Sequence, residues 1–318
     1  MTKRSSRAWG NVLSNALLNI SSSAPGKPSG KASGAVLCAC LLALALCLSA
    51  CAGAPAPDPA GPRANEPPYP VLLRGNADKR AATLAAWNRL MHEEGITNAP
   101  DPELQPATAT IRSLPPLAGH TLSLPKVGEG ATMTEEESRE ALRRFITAES
   151  ALVGAQPQQL SLVTRTDGAD GTQTARYEQR PFRSYQLRNG YGILEITFTP
   201  DRRILQLTST CIPDIEQLQR AGAGTRPRMK AEEVAAFMVN KQFTYRDAGG
   251  ADHPFTVGPA DQLTVRELVI YPLPRAADPS VLEFHLAWEI TVGREPAAIN
   301  VYLDAVTDEV IAAQQFSK

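Results

Sequence analysis

Histidines are the first residues to examine for catalytic chemistry, and this chain of 318 residues has four of them. They are His92, His120, His253 and His285, and no two lie one helical turn apart. Residues 92–96 begin like the zinc-binding H-E-x-x-H motif, but the second histidine is missing. His285 falls on the polar side of an alternating segment and is expected to face solvent. Since the sequence also contains no nucleophile elbow and no P-loop, we expect no catalytic residue and no metal or cofactor site.

Three carboxylates near the C-terminus are the remaining candidates for metal chemistry. Asp304, Asp308 and Glu309 follow an apolar, alternating segment and would meet at a turn between two strands. Carboxylates at such a turn can bind a cation or can accept hydrogen bonds from the turn itself, and their spacing here does not match an EF-hand. We predict the second role for them.

A different kind of chemistry, lipid attachment, is indicated near the N-terminus. Residues 1–50 contain five Lys or Arg and no acid, and they end in an apolar, uncharged segment, residues 35–50. A basic start, a short apolar core and small residues at its end are typical of an export signal. Leu48-Ser49-Ala50-Cys51 resembles the lipobox of bacterial lipoproteins. That resemblance implies cleavage before Cys51 and acylation of its thiol; a buried N-terminal helix that ends in Cys by chance is the less favoured interpretation.

The segment after Cys51 predicts a spacer between the lipid and a folded body. Seven of the nineteen residues 52–70 are proline, a composition typical of extended, semi-rigid polyproline II linkers. The lipid would therefore hold a soluble body at a membrane. In Gram-negative lipoproteins, Ala rather than Asp after the acylated Cys is associated with outer-membrane sorting. The resemblance thus implies a body anchored at the outer membrane of a bacterial cell envelope, facing the periplasm or the surface.

Composition limits what the body beyond the signal can do. Removal of residues 1–50 leaves 27 Lys or Arg against 33 Asp or Glu, a net charge of −6. Such a balance argues against nucleic-acid binding, which requires a basic patch. Cys211 is the one cysteine after Cys51, so a disulfide framework and a cysteine-based zinc site are excluded. We expect Cys211 to be a small buried residue rather than a reactive thiol.

Helix and strand signals alternate along the rest of the chain. Residues 76–94 have helical periodicity behind a capping Asn76, and residues 96–133 read as a connection with one short strand. Thr134 and Glu137 form a capping-box pattern at the start of a second helix, which Gly154 ends. Strands are predicted at 160–166, 174–179, 184–187, 191–199 and 204–210. One helix followed by antiparallel strands predicts an α+β layer.

A second helix-then-sheet pattern follows a Gly- and Pro-rich linker, residues 220–228. Residues 229–243 predict a helix that includes Lys241 on one face, and residues 244–262 read as a loop. Strands are predicted at 263–273, 282–292, 299–303 and 310–315. In the second of these, Trp288 faces a core and His285 faces water. The fold class predicted is therefore α+β, with two consecutive units that each pack one helix on an antiparallel sheet.

Both units carry distinctive strand and turn motifs. Residues 174–207 have Arg176, Tyr177 and Gln179 in an R-Y-x-Q strand and Gly192 before an apolar strand. They resemble the FTP segment in the propeptide region of thermolysin- and fungalysin-type metallopeptidases. Residues 286–292 and 301–311 resemble its PepSY domain, with Asp308 where that family has Gly in a V-D-A-x-T-G-E-V ending. Asp tolerates left-handed turns, so we expect the turn to survive. The resemblance implies a cystatin-like or PepSY-like architecture.

The resemblance also suggests a role. Propeptides of that family fold beside their peptidase, help it mature and block its cleft. Because this sequence has no H-E-x-x-H motif, we expect a non-catalytic body that binds an envelope protein in trans, either as a peptidase inhibitor or as a folding partner of a metallopeptidase. The alternative is a structural or adaptor scaffold of the bacterial envelope with no link to proteolysis. An exposed strand or the loop at residues 180–190 could provide main-chain pairing.

These patterns divide the chain into five predicted parts. They are a signal peptide at 1–50, a lipidated Cys and Pro-rich tether at 51–70, an N-terminal helix and connection at 71–133, an FTP-like unit at 134–219, and a PepSY-like unit at 229–318.

Overall fold

A computed structural model describes residues 69–179, 185–294 and 297–315. All of these belong to one compact unit. No helix within these ranges combines the length and the apolar character needed to cross a membrane. The fold is α+β, with helices packed on antiparallel sheets, which confirms the predicted fold class.

The first strand and the first helix of the described chain belong to different layers. Strand β1 is Val71–Arg74, and helix α1 is Ala77–Glu93. Asn76 caps α1, because its side-chain oxygen accepts the N–H of Asp78 at 2.7 Å. The α1 residues Ala86, Trp87, Leu90 and Met91 are buried in the same core as the smaller sheet. The predicted helix at residues 76–94 is therefore present within one residue at each end.

The smaller main sheet has five antiparallel strands in the order β4-β8-β7-β6-β5. Its strands are β4 Leu122–Ser123, β5 Leu160–Asp167, β6 Gln173–Gln179, β7 Ile193–Phe198 and β8 Arg203–Ser209. Helix α2, Glu135–Ala148, and the short helix α3, Ser150–Val153, share its core. The predicted capping box is present: Thr134 accepts the N–H of Glu137, and the Glu137 carboxylate accepts the N–H of Thr134. Gly154 ends α3 with a φ of 80°.

The larger sheet has seven strands within the described part of the chain. The order is β1-β12-β13-β14-β9-β10, and β11 pairs with the other side of β12. The strands are β9 Gln242–Arg246, β10 Asp252–Thr256, β11 Leu263–Arg275, β12 Asp278–Val292, β13 Ile299–Asp304 and β14 Val310–Gln315. Helices α4, Ile215–Ala221, and α5, Ala231–Met238, pack on one face of it through buried Leu218 and Val234.

Three segments differ from the sequence predictions. The connection at 96–133 holds β2 Glu103–Leu104, β3 Ile111–Ser113 and β4, rather than one short strand. The helix predicted at 229–243 ends at Met238, because Asn240 has a φ of 65° that a right-handed helix cannot contain. Lys241 therefore lies beyond the helix, and β9 and β10 form a hairpin where a loop was predicted.

A fourth difference concerns the strand predicted at 184–187. Its described part, residues 185–187, forms an isolated bridge between Leu187 and Ile270 of β11 rather than a strand of the smaller sheet. Ile270 donates to the carbonyl of Gln186 at 2.9 Å and accepts from Arg188 at 3.0 Å. Strand β1 pairs with β12 of the larger sheet, although residues 71–74 precede both predicted units. The larger sheet therefore contains residues from outside the second unit, and the division into two consecutive units stays a prediction.

Candidate functional site

A buried carboxylate, Asp304, lies at the end of β13 and is fully enclosed. Its Oδ1 accepts the backbone N–H groups of Val306 and Thr307 at 2.8 and 2.9 Å, as predicted for a turn carboxylate. Its Oδ2 accepts the Tyr69 hydroxyl at 2.8 Å and Nδ1 of His285 at 2.6 Å. Burial by itself raises the pKa of Asp304, but these hydrogen bonds outweigh it and lower the pKa below the ordinary value.

The Tyr69 hydroxyl lies at a junction in the sheet. Along β12, the pairing with β1 ends at Phe284 and the pairing with β13 begins at Ala287. The N–H of Leu286 falls between them and donates to the Tyr69 oxygen at 3.0 Å. Burial, followed by the nearby charge of Asp304, raises the pKa of Tyr69, so it stays a neutral donor. Tyr69 thereby closes a gap that the two neighbouring strands leave open.

His285 is buried, so its predicted place on the solvent face is wrong. Its other nitrogen, Nε2, is enclosed without a hydrogen-bond partner and lies 3.5 Å from Oε2 of Glu283. A carboxylate only accepts, so Nδ1 of His285 carries the proton toward Asp304. The pair has the geometry of a base held by a carboxylate. Within the described residues no hydroxyl or thiol bonds to Nε2, and we assign the cluster to holding Tyr69 and β12 in place.

The second feature is the outer strand of the smaller sheet, β5. It pairs with β6 on one side and with no strand on the other within the described ranges. Six of its eight residues are exposed, among them Leu162 at 41% and Val163 at 53%. Val163 is skipped by the register with β6, which marks a β-bulge. The strand therefore presents both an open edge and apolar side chains to solvent.

A groove of about 510 Å³ runs from this edge toward the larger sheet. Ser161 and Val163 of β5 form one side of it. Residues 186–192, together with Tyr302 of β13 and Gln314 of β14, form the other. The groove thus lies between the open face of the smaller sheet and the face of the larger sheet opposite helices α4 and α5.

Charges in the groove are unevenly compensated. Arg176 pairs with Glu195 at 2.6 Å on the open face of the sheet. Arg188 pairs with two carboxylates, Glu267 at 2.8 Å and Glu289 at 3.0 Å. Glu178 is exposed, and no ion pair to it exists in the described chain. Among the described residues, the lining and its direct ion-pair partners therefore carry more negative than positive charge.

The R-Y-x-Q strand and Gly192 have structural roles here. The buried Gln179 amide donates to the carbonyl of Ile212 and accepts its N–H, both at 2.9 Å, which fixes the exit from β8. Gly192 has a φ of 76°, and a Cβ there would lie 2.6 Å from Leu187. Asp308 takes the predicted left-handed conformation, with a φ of 63°.

The remaining predicted residues are placed as follows. Leu48, Ser49, Ala50 and Cys51 lie outside the described residues. Cys211 is buried, as predicted, and burial raises the pKa of its thiol to about 12. Trp288 is in the core of the larger sheet, also as predicted, at 8% exposure. The described ranges hold no group of three or more metal-ligating side chains.

Comparison with known proteins gives little beyond this description. No family model matches the sequence. No curated protein matches it either. A solved structure of the Bacillus megaterium YpeB C-terminal domain is similar over 60% of this chain and 68% of its own, at 7% identity and a TM-score of 0.29. Similarity at that level supports no conclusion about what this chain does.

Proposed function

We propose that this chain is the body of a lipid-anchored protein of the bacterial envelope that binds another protein and carries out no reaction itself. The lipobox and the proline-rich spacer support the anchoring. The open edge of β5 is the observation that supports protein binding, since an extended segment can add to such an edge by main-chain hydrogen bonds.

Among the outer strands of the two main sheets in the described chain, β5 is the exception, because the others are shorter or partly covered. At β11, residues 186–188 bond to Ile270 and cover part of the edge. Strand β10 has five residues with Pro254 in the middle, and proline cannot donate to a ladder. Strand β4 has two residues. At eight residues β5 is a long edge that exposes apolar side chains, and the bulge at Val163 interrupts this edge without covering it. A binding role explains why an edge that favours aggregation is kept.

The partner we propose is an envelope metallopeptidase, with this chain as its inhibitor or folding partner. The support is the resemblance of residues 174–207, 286–292 and 301–311 to peptidase propeptides. A structural or adaptor role without any link to proteolysis would use the same edge. The two are separated by the identity of the partner, and not by the fold.

Photo-crosslinking in the native cell tests this proposal. A photoreactive amino acid replaces Val163 in the full-length chain, and the control carries it at Glu232, an exposed position on α5. We expect a crosslinked protein at position 163 that is missing at 232. If that protein is a zinc peptidase whose activity falls when the purified chain is added, the inhibitor role is supported, and a peptidase that gains activity supports the folding role. A partner of another kind favours the scaffold, and equal crosslinking at both positions would refute binding at β5.

A further inference from the structure

The position of Glu178 relative to the open edge defines which partner segment fits. Ser161 of β5 is directly opposite Glu178 of β6 in the register. Cross-strand partners lie on the same face of a sheet, so a residue added opposite Ser161 would share the face of Glu178. The added residue would be two strand spacings, about 10 Å, away from Glu178, because β5 lies between them. The small Ser161 side chain leaves that path open, and a Lys or Arg side chain is long enough to cross it.

The charge around this position favours a basic residue. Glu178 has no ion pair among the described residues, whereas Arg176 and Arg188 are already paired. Glu267 and Glu289 together exceed the single charge of Arg188. Arg180 and Arg183 lie outside the described residues and are not counted in this balance.

The groove also favours apolar side chains on the partner segment. Val163 is on the β5 side of the groove, and Leu187, Tyr191 and Ile193 are half-buried residues of its lining. An extended segment presents every second side chain to one face. Alternate apolar side chains of a segment paired with β5 would therefore meet this lining.

We propose that the β5 edge and its groove bind an extended, basic segment of a partner protein, with alternating apolar residues and a Lys or Arg opposite Ser161. This inference rests on the proposed function and adds the chemistry of the partner. A second copy of this chain is the poorer occupant, because it would bring two negative grooves together.

A random decapeptide library displayed on phage and selected on the purified full-length chain is the probe. Selected peptides are then synthesised and their affinity measured by fluorescence anisotropy. We expect enrichment of Lys and Arg within an alternating apolar pattern. Peptides without that enrichment, or rich in Asp and Glu, would overturn the inference.

Two variants of the protein test whether the charge of Glu178 contributes to peptide binding. Glu178→Lys should weaken the selected peptide at least about tenfold, since a like charge then replaces an opposite one. Glu232→Lys makes the same change of charge at a distant exposed position and should leave the affinity unchanged. Equal effects of the two variants would show that only overall charge matters and would overturn the inference. Matching thermal melts show that both variants fold.

Two N-methylated forms of the peptide test the main-chain pairing without altering the protein. One is methylated on odd residues and the other on even residues, so each removes the N–H groups along one side of the strand. Addition to β5 predicts that one form loses binding and the other keeps it. If both forms bind equally, the segment does not pair with the edge, and the inference fails. The crosslink at Val163 can still succeed in that case, so the failure is distinguishable from failure of the proposed function.

Discussion

The Tyr69 hydroxyl donates a hydrogen bond to Oδ2 of Asp304 at 2.8 Å, across 235 residues of sequence. The same oxygen accepts the N–H of Leu286, so one side chain satisfies both a buried carboxylate and an unpaired strand amide. Tyr69 is the first described residue of the chain. It belongs to the predicted tether, residues 51–70, and these hydrogen bonds attach it to β12 and to the end of β13 in the folded body.

Removal of this hydroxyl should destabilise the protein. Tyr69→Phe leaves the Leu286 N–H without its acceptor and removes one donor from Asp304. Leaving a buried polar group unpaired costs about 1–3 kcal/mol. Urea unfolding should show a loss of this size, while Tyr245→Phe, at a half-exposed position on β9, should change the unfolding free energy by less than about 0.5 kcal/mol. Equal, small effects of the two variants would show that the Tyr69 hydroxyl does not stabilise the junction.

Acid should remove the contribution of Asp304. Because the folded state lowers the pKa of Asp304, its stabilising effect is fully present above the ordinary Asp value of about 3.9 and is lost as the pH falls through the lower, folded value. The unfolding free energy of the wild type should therefore exceed that of Asp304→Asn at pH 7, and the difference should shrink below about pH 4. Groups that do not contact Asp304 contribute nearly equally to both proteins and cancel in the difference. A difference that stays constant down to pH 2–3 would contradict this assignment of the charge.

The strongest local patterns in the sequence predicted the structure correctly, whereas the sequence could not predict the long-range pairings. Thr134 with Glu137, and Asn76 at the start of α1, are local capping signals within a few residues of their partners. The alternating pattern around His285 and Glu289 predicted that these side chains face solvent, but both are buried. Their polar partners, Asp304 and Arg188, lie in other parts of the chain, so the local pattern could not show that this face is covered. Strict alternation shows that a strand has two faces, but it does not show whether both are covered.

The candidate binding edge was missed for a related reason. Leu162 and Val163 are apolar and predicted a strand correctly, but their exposure follows from β5 being outermost in the sheet, and strand order is set by the tertiary fold. Similarly, Phe243 and Tyr245 alternate as strand residues do, but the predicted helix was extended past Met238 to residue 243, and Tyr245 fell in the predicted loop. A left-handed Asn240 separates the two elements. Asn tolerates that conformation, which is the available sequence signal for the boundary.

The core position of Trp288 predicts a large effect on stability. Its indole packs in the apolar core between the larger sheet and its helices. Trp288→Ala should lower the unfolding free energy by about 3–5 kcal/mol, measured by urea or thermal unfolding. Leu205→Ala, at a residue that is 46% exposed, is the matched control and should change it by less than about 0.5 kcal/mol. An unmoved thermal melt for Trp288→Ala would refute its placement in the core.

Substitutions of Gln179 should lower the free energy of unfolding by graded amounts. Both of its amide groups bond to the backbone of Ile212, in a buried position. Gln179→Met removes both bonds and leaves two backbone groups unpaired, at about 1–3 kcal/mol for each group. Gln179→Asn shortens the side chain by one methylene but keeps the amide, so any rescue it gives shows how far Ile212 can move. If Gln179→Met unfolds at the same urea concentration as the wild type, the bonds contribute no net stability.

Attachment to the membrane depends, in our proposal, on the thiol of Cys51. Cys51→Ser removes the acylation site, and each buried CH₂ of an acyl chain contributes about 0.8 kcal/mol to membrane binding. Cells that express the variant should show no incorporation of labelled palmitate into the protein, and the protein should move from the membrane to the soluble fraction. Cys47→Ser, within the apolar segment, is the matched control and should keep both the label and the membrane fraction. Unchanged fractionation of Cys51→Ser together with retained label would show that the lipobox interpretation is wrong, because the lipid would then be attached elsewhere.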